Sequence, residues 1–199
     1  MNEIPNICLL WTDIETTGLD YDSDIILEIA WQFTDYLGEP LTGLHSSITI
    51  DQDDEILLGK VLNRYTSAVP YVQQMHRDSG LWADVLFGTA DSVTRDGFFG
   101  VIESMLGGLD EVRGDAEVRF AGSTVGFDKR FIETVWGGEF PISHRVHDLS
   151  TFRPFFKWQG IDLDDATASL DTDTHRAAAD VERDVLQWQS LIHVMINDG

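Results

Sequence analysis

Cysteine is almost absent from this sequence of 199 residues, which has a single one, Cys8. One thiol excludes an internal disulfide, and its place inside an apolar run marks it as core filler. Long apolar runs are also missing, which excludes a transmembrane helix. The opening residues, Met1 to Asn6, carry an acid and no basic stretch, unlike a secretory signal. Positive charge is scarce: Lys and Arg number 13 against 35 Asp and Glu, a net charge of −22. Lysine occurs only at Lys60, Lys129 and Lys157. A broad basic surface, the usual footprint of polynucleotide binding, is therefore excluded. No internal repeat, low-complexity tract or interdomain linker is visible. What is present, 43% hydrophobic residues, suffices for a sizeable core. The expectation is one domain over 1–199, soluble, intracellular and cytoplasmic.

The pattern alternates strands and helices. Ile7 to Trp11 is a short apolar run and predicts a buried strand. Asp24 to Asp35 predicts a second, long strand, and Leu41 to Ile50 a third, together an antiparallel meander. Glu55 to Val69 predicts a short helix and a loop, and Tyr71 to Met75 another helical piece. Ser79 predicts a cap for a helix through Val85. Ala90 to Leu109 is amphipathic, with Val93, Phe98, Val101, Ile102, Met105 and Leu106 near helical spacing and Gly107-Gly108 weakening its end. Strands at Val118 to Gly122 and Arg145 to His147 are followed by helices from Gly126 to Trp136 and through Lys157. Asp173 or Thr174 is expected to cap a last helix reaching Ile196. The fold class is α/β, a mixed sheet in one domain.

The chemistry concentrates at Asp13-Ile14-Glu15-Thr16-Thr17-Gly18-Leu19. Residues two apart in a strand share a side, so Asp13 and Glu15 face one way. Paired carboxylates repel unless a cation lies between them, and hard oxygen ligands suit Mg²⁺ or Mn²⁺. Gly18 is expected to supply a turn conformation closed to other residues. Asp128 falls in the first turn of a helix, where an acid also serves as a dipole partner. His175 and Asp180 lie five residues apart at another helix start. Their plain readings are a cap or surface histidine, and an exposed acid paired with Arg176 or Arg183.

Together these residues resemble the histidine-type DEDD exonuclease superfamily, and within it the oligoribonuclease family. The matching blocks are Leu10-Trp11-Thr12-Asp13-Ile14-Glu15-Thr16-Thr17-Gly18-Leu19; Ile25 to Ala30; Gly122-Ser123-Thr124-Val125-Gly126-Phe127-Asp128-Lys129-Arg130-Phe131; Asp148-Leu149-Ser150-Thr151; and Thr174-His175-Arg176-Ala177-Ala178-Ala179-Asp180. Their order and spacing agree across nearly the whole chain. The resemblance implies a ribonuclease H-like mixed five-stranded sheet flanked by helices. It implies that Asp13, Glu15, Asp128 and Asp180 hold two divalent ions and that His175 is the general base. It implies substrate contacts from Leu19 as a base wedge, Tyr71 as a stacking ring, His76 near the scissile region, and His144, Arg145 and Ser150 around a 5′ phosphate, partly across a homodimer. Ser123 stands where the family has asparagine, and His144 where it has tyrosine. Residues from about 54 to 70 resemble an insertion or rearranged loop.

The expected activity is metal-dependent 3′→5′ hydrolysis of short single-stranded RNA to nucleoside 5′-monophosphates. The alternatives are a broader exonuclease on single-stranded DNA or RNA, of proofreading type, and a non-catalytic acidic mimic of nucleic acid. A short substrate needs few phosphate contacts, for which Lys129, Arg130 and Arg145 are the expected sources.

Overall fold

The computed structural model describes residues 3–90, 97–167 and 174–197. Five strands form one sheet: β1 (Ile7–Thr16), β2 (Ile26–Thr34), β3 (His45–Ile48), β4 (Glu117–Gly122) and β5 (Val146–Asp148). Their order across the sheet is β3-β2-β1-β4-β5. β1 is antiparallel to β2, and β2 to β3, as the meander predicted. β4 lies parallel to β1, and β5 parallel to β4, so the sheet is mixed. Among the described residues seven α-helices accompany it: α1 (Glu55–Ser67), α2 (Pro70–Asp78), α3 (Leu81–Phe87), α4 (Gly97–Val112), α5 (Gly126–Trp136), α6 (Leu149–Trp158) and α7 (Ala177–Asn197). No helix among the described residues is long and apolar enough to cross a membrane.

The alternation of β1 decides where chemistry can sit. Cys8, Leu10 and Ile14 join one buried cluster with Val101, Ile102 and Met105 of α4 and Phe131 and Ile132 of α5. Leu9 and Trp11 join the opposite cluster with Val181, Val185 and Trp188 of α7. Each such fully buried side chain contributes about 1.5–3 kcal/mol over its exposed state. Continuing that second side past Trp11 brings Asp13 and Glu15 round to α7. A third cluster, with Leu27, Ile48, Val61, Leu81, Trp82 and Val85, packs α1 and α3 at the sheet edge.

Several sequence-based bounds shift, each for a physical reason. β1 does not stop at Trp11 but pairs with β2 through Thr16, with a register shift between Glu15 and Thr16. The segment read as a short helix and loop forms a 13-residue helix, α1, capped by Asp54, whose side chain accepts from Leu57 N. Gly80, not Ser79, caps α3 and offers no side-chain bond. α4 passes through Gly107-Gly108 to Val112, because at Gly108 an added Cβ would stand 3.1 Å from the Phe33 ring, so the glycine admits that ring against the helix. The first part of the helix predicted from Ala90, with Val93, and the cap at Asp173 lie outside the described residues, while Thr174, the other cap expected, precedes a helix that begins only at Ala177 and its hydroxyl bonds no backbone amide there. Gly18 is not among the positive-φ glycines. A Cβ there would fall 2.5 Å from Asp24 Oδ2, so close approach of that carboxylate, not a special turn angle, requires glycine.

Candidate active site

At the end of β1 three carboxylates converge. One oxygen each of Asp13, Glu15 and Asp180 lie within 4.8 Å of one another. Asp128 approaches from α5, where its Oδ1 accepts the Ile14 amide at 3.0 Å, between the two β1 acids. It is 4% exposed, and Glu15 8%. All four predicted acids are thus gathered from β1, α5 and α7.

Crowding and burial hold these groups far from their ordinary ionisation. Burial raises the Asp13 pKa well above the carboxylate range, and the charges of Asp128, Asp180, Glu15 and Asp184 add to it. Glu15 is pushed up to about 9, by burial first and then by Asp180 and Glu28, against the pull of Arg176. Asp128 is pushed up to about 7 by burial, although backbone amides, Ile14's among them, favour its charged form. Burial also raises Asp180, while Arg183 opposes it. Such a set is relieved by protonation or by a bound cation. The donor set fits a hard divalent ion, which at about 2.1 Å from its ligands places their oxygens roughly 3–4.2 Å apart. Asp13, Glu15, Asp128 and Asp180 are the residues that would hold it.

α7 is held in position by a residue to which sequence reading gave no role. Glu28, 1% exposed in β2, pairs directly with Glu15 across the strands. Like charges opposite one another are destabilising, and Arg176 relieves them. Its Nη2 donates to Glu28 Oε1 at 2.8 Å and its Nε to Oε2 at 3.0 Å, while its Nη1 donates to Asp84 at 2.8 Å. Glu28 Oε2 also accepts the Ala177 amide at 3.1 Å, at the first turn of α7. The clue in the sequence was a lone acid inside the apolar run Ile25 to Ala30. Arg176 therefore serves Glu28, and Arg183 is the arginine ion-paired to Asp180. His175 sits on the approach to α7, exposed, with a left-handed φ of 45°. Asp180 and His76 both lie within its electrostatic reach.

Asp184, one turn after Asp180, was also missed. It is 4% exposed. Its Oδ1 accepts the Ser123 hydroxyl at 2.8 Å and Arg153 Nη2 at 2.9 Å. Asp148 accepts the Thr124 amide at 3.0 Å. These two carboxylates hold the turn before α5, where Thr124 has a φ of 57°, and so fix the helix that carries Asp128. The i, i+4 spacing from Asp180 was the available signal.

The expected substrate residues divide. Leu19 is 79% exposed and Tyr71 70%. Both line a groove of about 790 Å³ that Glu15 also borders, with Met75 and Phe127 beside them. The segment resembling an insertion supplies a wall of that groove, through Arg64 and Ser67 of α1. His76 is 0% exposed and is not in the groove lining. Its Nε2 lies 2.8 Å from the Thr16 carbonyl and its Nδ1 3.7 Å from Glu15 Oε2, so it stands buried beside Glu15. Arg145 and His144 are not brought to the carboxylates either. Both are exposed and precede β5, and Arg145 pairs with Glu117 at 3.3 Å, near the start of β4. Strand pairing sets β4's Ala121 level with Trp11 and Glu117 level with Ile7, which puts Glu117 some 20 Å short of Asp13 along the strands. Ser150 lies in the first turn of α6, where its amide and hydroxyl donate to Asp148, the N-cap, at 2.9 and 2.6 Å. Lys129 pairs with Glu133 at 2.6 Å, and Arg130 lies 4.5 Å over the Tyr21 ring.

No family model matches the chain. Among curated proteins it is similar to the oligoribonuclease of Mycobacterium sp. (strain KMS), 33% identical over 132 residues, 62% of this chain and 51% of that protein. The oligoribonuclease of Mycobacterium ulcerans is 27% identical over 184 residues, covering 91% of this chain and 78% of that one. The chain thus spans about half the length of the first relative and more of the second. Among solved structures, the zinc-bound complex of E. coli exonuclease I with single-stranded DNA aligns over 96% of this chain and 41% of that one, with a TM-score of 0.65 and 13% identity. S. pombe Pop2p, in a Mg²⁺- and Mn²⁺-bound form, aligns over 95% of this chain and 83% of that one, with a TM-score of 0.59 and 13% identity. The fold is that of the ribonuclease H-like exonucleases, as the sequence blocks implied.

Proposed function

This chain is related in sequence to the oligoribonucleases and shares the fold of the DEDD exonucleases, and from that premise we propose that it is a metal-dependent 3′→5′ exoribonuclease releasing nucleoside 5′-monophosphates from short RNA. The observation that carries the reading is the convergence of Asp13, Glu15 and Asp180 within 4.8 Å, with Asp128 bonded to the strand between them. When bound, two divalent ions, Mg²⁺ or Mn²⁺, supply activation of the attacking water and charge stabilisation at the phosphoryl group. Asp13, Glu15, Asp128 and Asp180 would hold them, with Asp13 central in the cluster. His175 accepts the proton of the attacking water, a task suited to an imidazole near neutral pH. Leu19 wedges against a base and Tyr71 stacks on one, both presenting exposed faces to the groove beside Glu15.

The charge distribution favours a short substrate. Lys129, Arg130 and Arg145 are engaged within the chain, which leaves little basic surface to track a long backbone. Arg145, which pairs with Glu117 away from its own chain's carboxylates, is the residue we assign to a partner's site in a homodimer.

The second reading, a broader exonuclease on single-stranded DNA, is favoured by the DNA complexes of exonuclease I among the structural neighbours. Monophosphate release should be measured on RNA and DNA of two and twenty nucleotides, with Mn²⁺ and with EDTA. Fastest turnover of the RNA dinucleotide supports the first reading, and length-independent turnover of DNA supports the second. An acidic mimic releases nothing under any condition.

A further inference from the structure

Arg183 lies across the carboxylate cluster. Its Nη1 is ion-paired to Asp180 Oδ1, while its Nε stands 3.4 Å and its Nη2 3.5 Å from Asp184 Oδ1. The side chain is only 23% exposed. The charge of Asp13 acts on it as well as those of Asp180 and Asp184. Asp180 belongs to the oxygen triad with Asp13 and Glu15. A divalent ion in that triad and a guanidinium on Asp180 would be two cations sharing one carboxylate, and their repulsion at such separation is strong in a partly buried site. They compete for the same carboxylate.

Asp184 gives the guanidinium another seat. It is one helical turn beyond Asp180 on the same face of α7 and is held rigidly by Ser123 and Arg153. Its Oδ1 is already at the edge of hydrogen-bond range from Arg183. A rotation of the arginine side chain, with no movement of the helix, is enough to pass it from one carboxylate to the other.

We propose that Arg183 is the resident counter-cation of this cluster, displaced from Asp180 toward Asp184 when a divalent ion binds, and that the pair Arg183–Asp184 thereby sets the metal affinity of the site. The inference rests on the metal-binding reading above and concerns a different property, the competition for Asp180. In that state Arg183 weakens metal binding. An arginine that merely oriented Asp180 as a ligand would strengthen it, so the sign of one measurement separates the two.

The test is calorimetric titration of Mn²⁺ into the wild-type protein and into Arg183→Gln, with thermal unfolding of both in EDTA and in saturating Mn²⁺. Arg183→Gln should bind Mn²⁺ about three- to tenfold more tightly, the order expected for removal of a partly exposed ion pair. In EDTA it should melt below wild type, because the carboxylates lose their counter-charge, and Mn²⁺ should close that gap. Asp184→Asn, which removes the second seat, should shift Mn²⁺ affinity the opposite way. Arg183→Lys, whose single ammonium cannot span both carboxylates, should bind Mn²⁺ more tightly than wild type if the glutamine variant does not fold. Unchanged or weaker Mn²⁺ binding by a folded Arg183 variant overturns the proposal while leaving the metal site standing. Absence of Mn²⁺ binding by the wild type overturns both.

Discussion

Glu28 offers a sharp trial of how the site is held. Glu28→Ala removes a carboxylate that accepts three hydrogen bonds from Arg176, one from the Ala177 amide and one from Ser46 Oγ at 3.2 Å. The Glu28 side chain is 2% exposed and that of Arg176 25%. Breaking one partner of a buried pair costs about 3–5 kcal/mol, because the remaining charge is left desolvated. Arg176 keeps its bond to Asp84 and some contact with water, so the lower end, about 3 kcal/mol, applies here. For a domain of this size that is a fall of about 6–12 °C in Tm. The alanine variant also frees the first turn of α7 and the approach that carries His175, so kcat should fall by more than the unfolded fraction explains. Circular dichroism melts and metal-saturated rates at 25 °C measure the two effects. A Tm within 2 °C of wild type would mean that Glu28 does not anchor α7, and the account of the site's assembly would fail.

Other expectations follow from the same geometry. His175→Ala should keep the fold and lose about 10²–10⁴ of the rate, the range for a general base, and equal single-turnover rates would remove that role. Asp13→Ala should abolish both turnover and Mn²⁺ binding, and retained Mn²⁺ heat in calorimetry would contradict it. His147, packed 4.2 Å from the Trp188 ring, has its pKa lowered to about 4 by burial and by Arg119, against Asp148. Between its unfolded value near 6.5 and about 4 the unfolded chain binds the extra proton, so stability should fall with pH in that window, by up to about 3 kcal/mol. Urea unfolding at pH 6.5 and 4.5 should show this loss in wild type and not in His147→Phe; parallel losses would exclude His147 as the source.

The sequence by itself determined the strands that matter and, through the resemblance of its blocks, the four acids of the carboxylate cluster. Alternation along β1 put Asp13 and Glu15 on one side, and local helix signals placed Asp128 and Asp180 near the starts of α5 and α7. These are short-range properties, written in periods of two and 3.6 residues. Only the tertiary structure decided how the acids are supported and opposed. Glu28 faces Glu15 because of strand register, and Arg176 reaches it across 148 positions of sequence. Asp184 meets Ser123 across 61 positions and His76 meets Thr16 across 60, which buries that histidine beside Glu15. Arg145 failed to join its own chain's carboxylates because parallel pairing set it at the other end of the sheet. Partners so far apart in sequence carry no local period, so the fold alone assigns them.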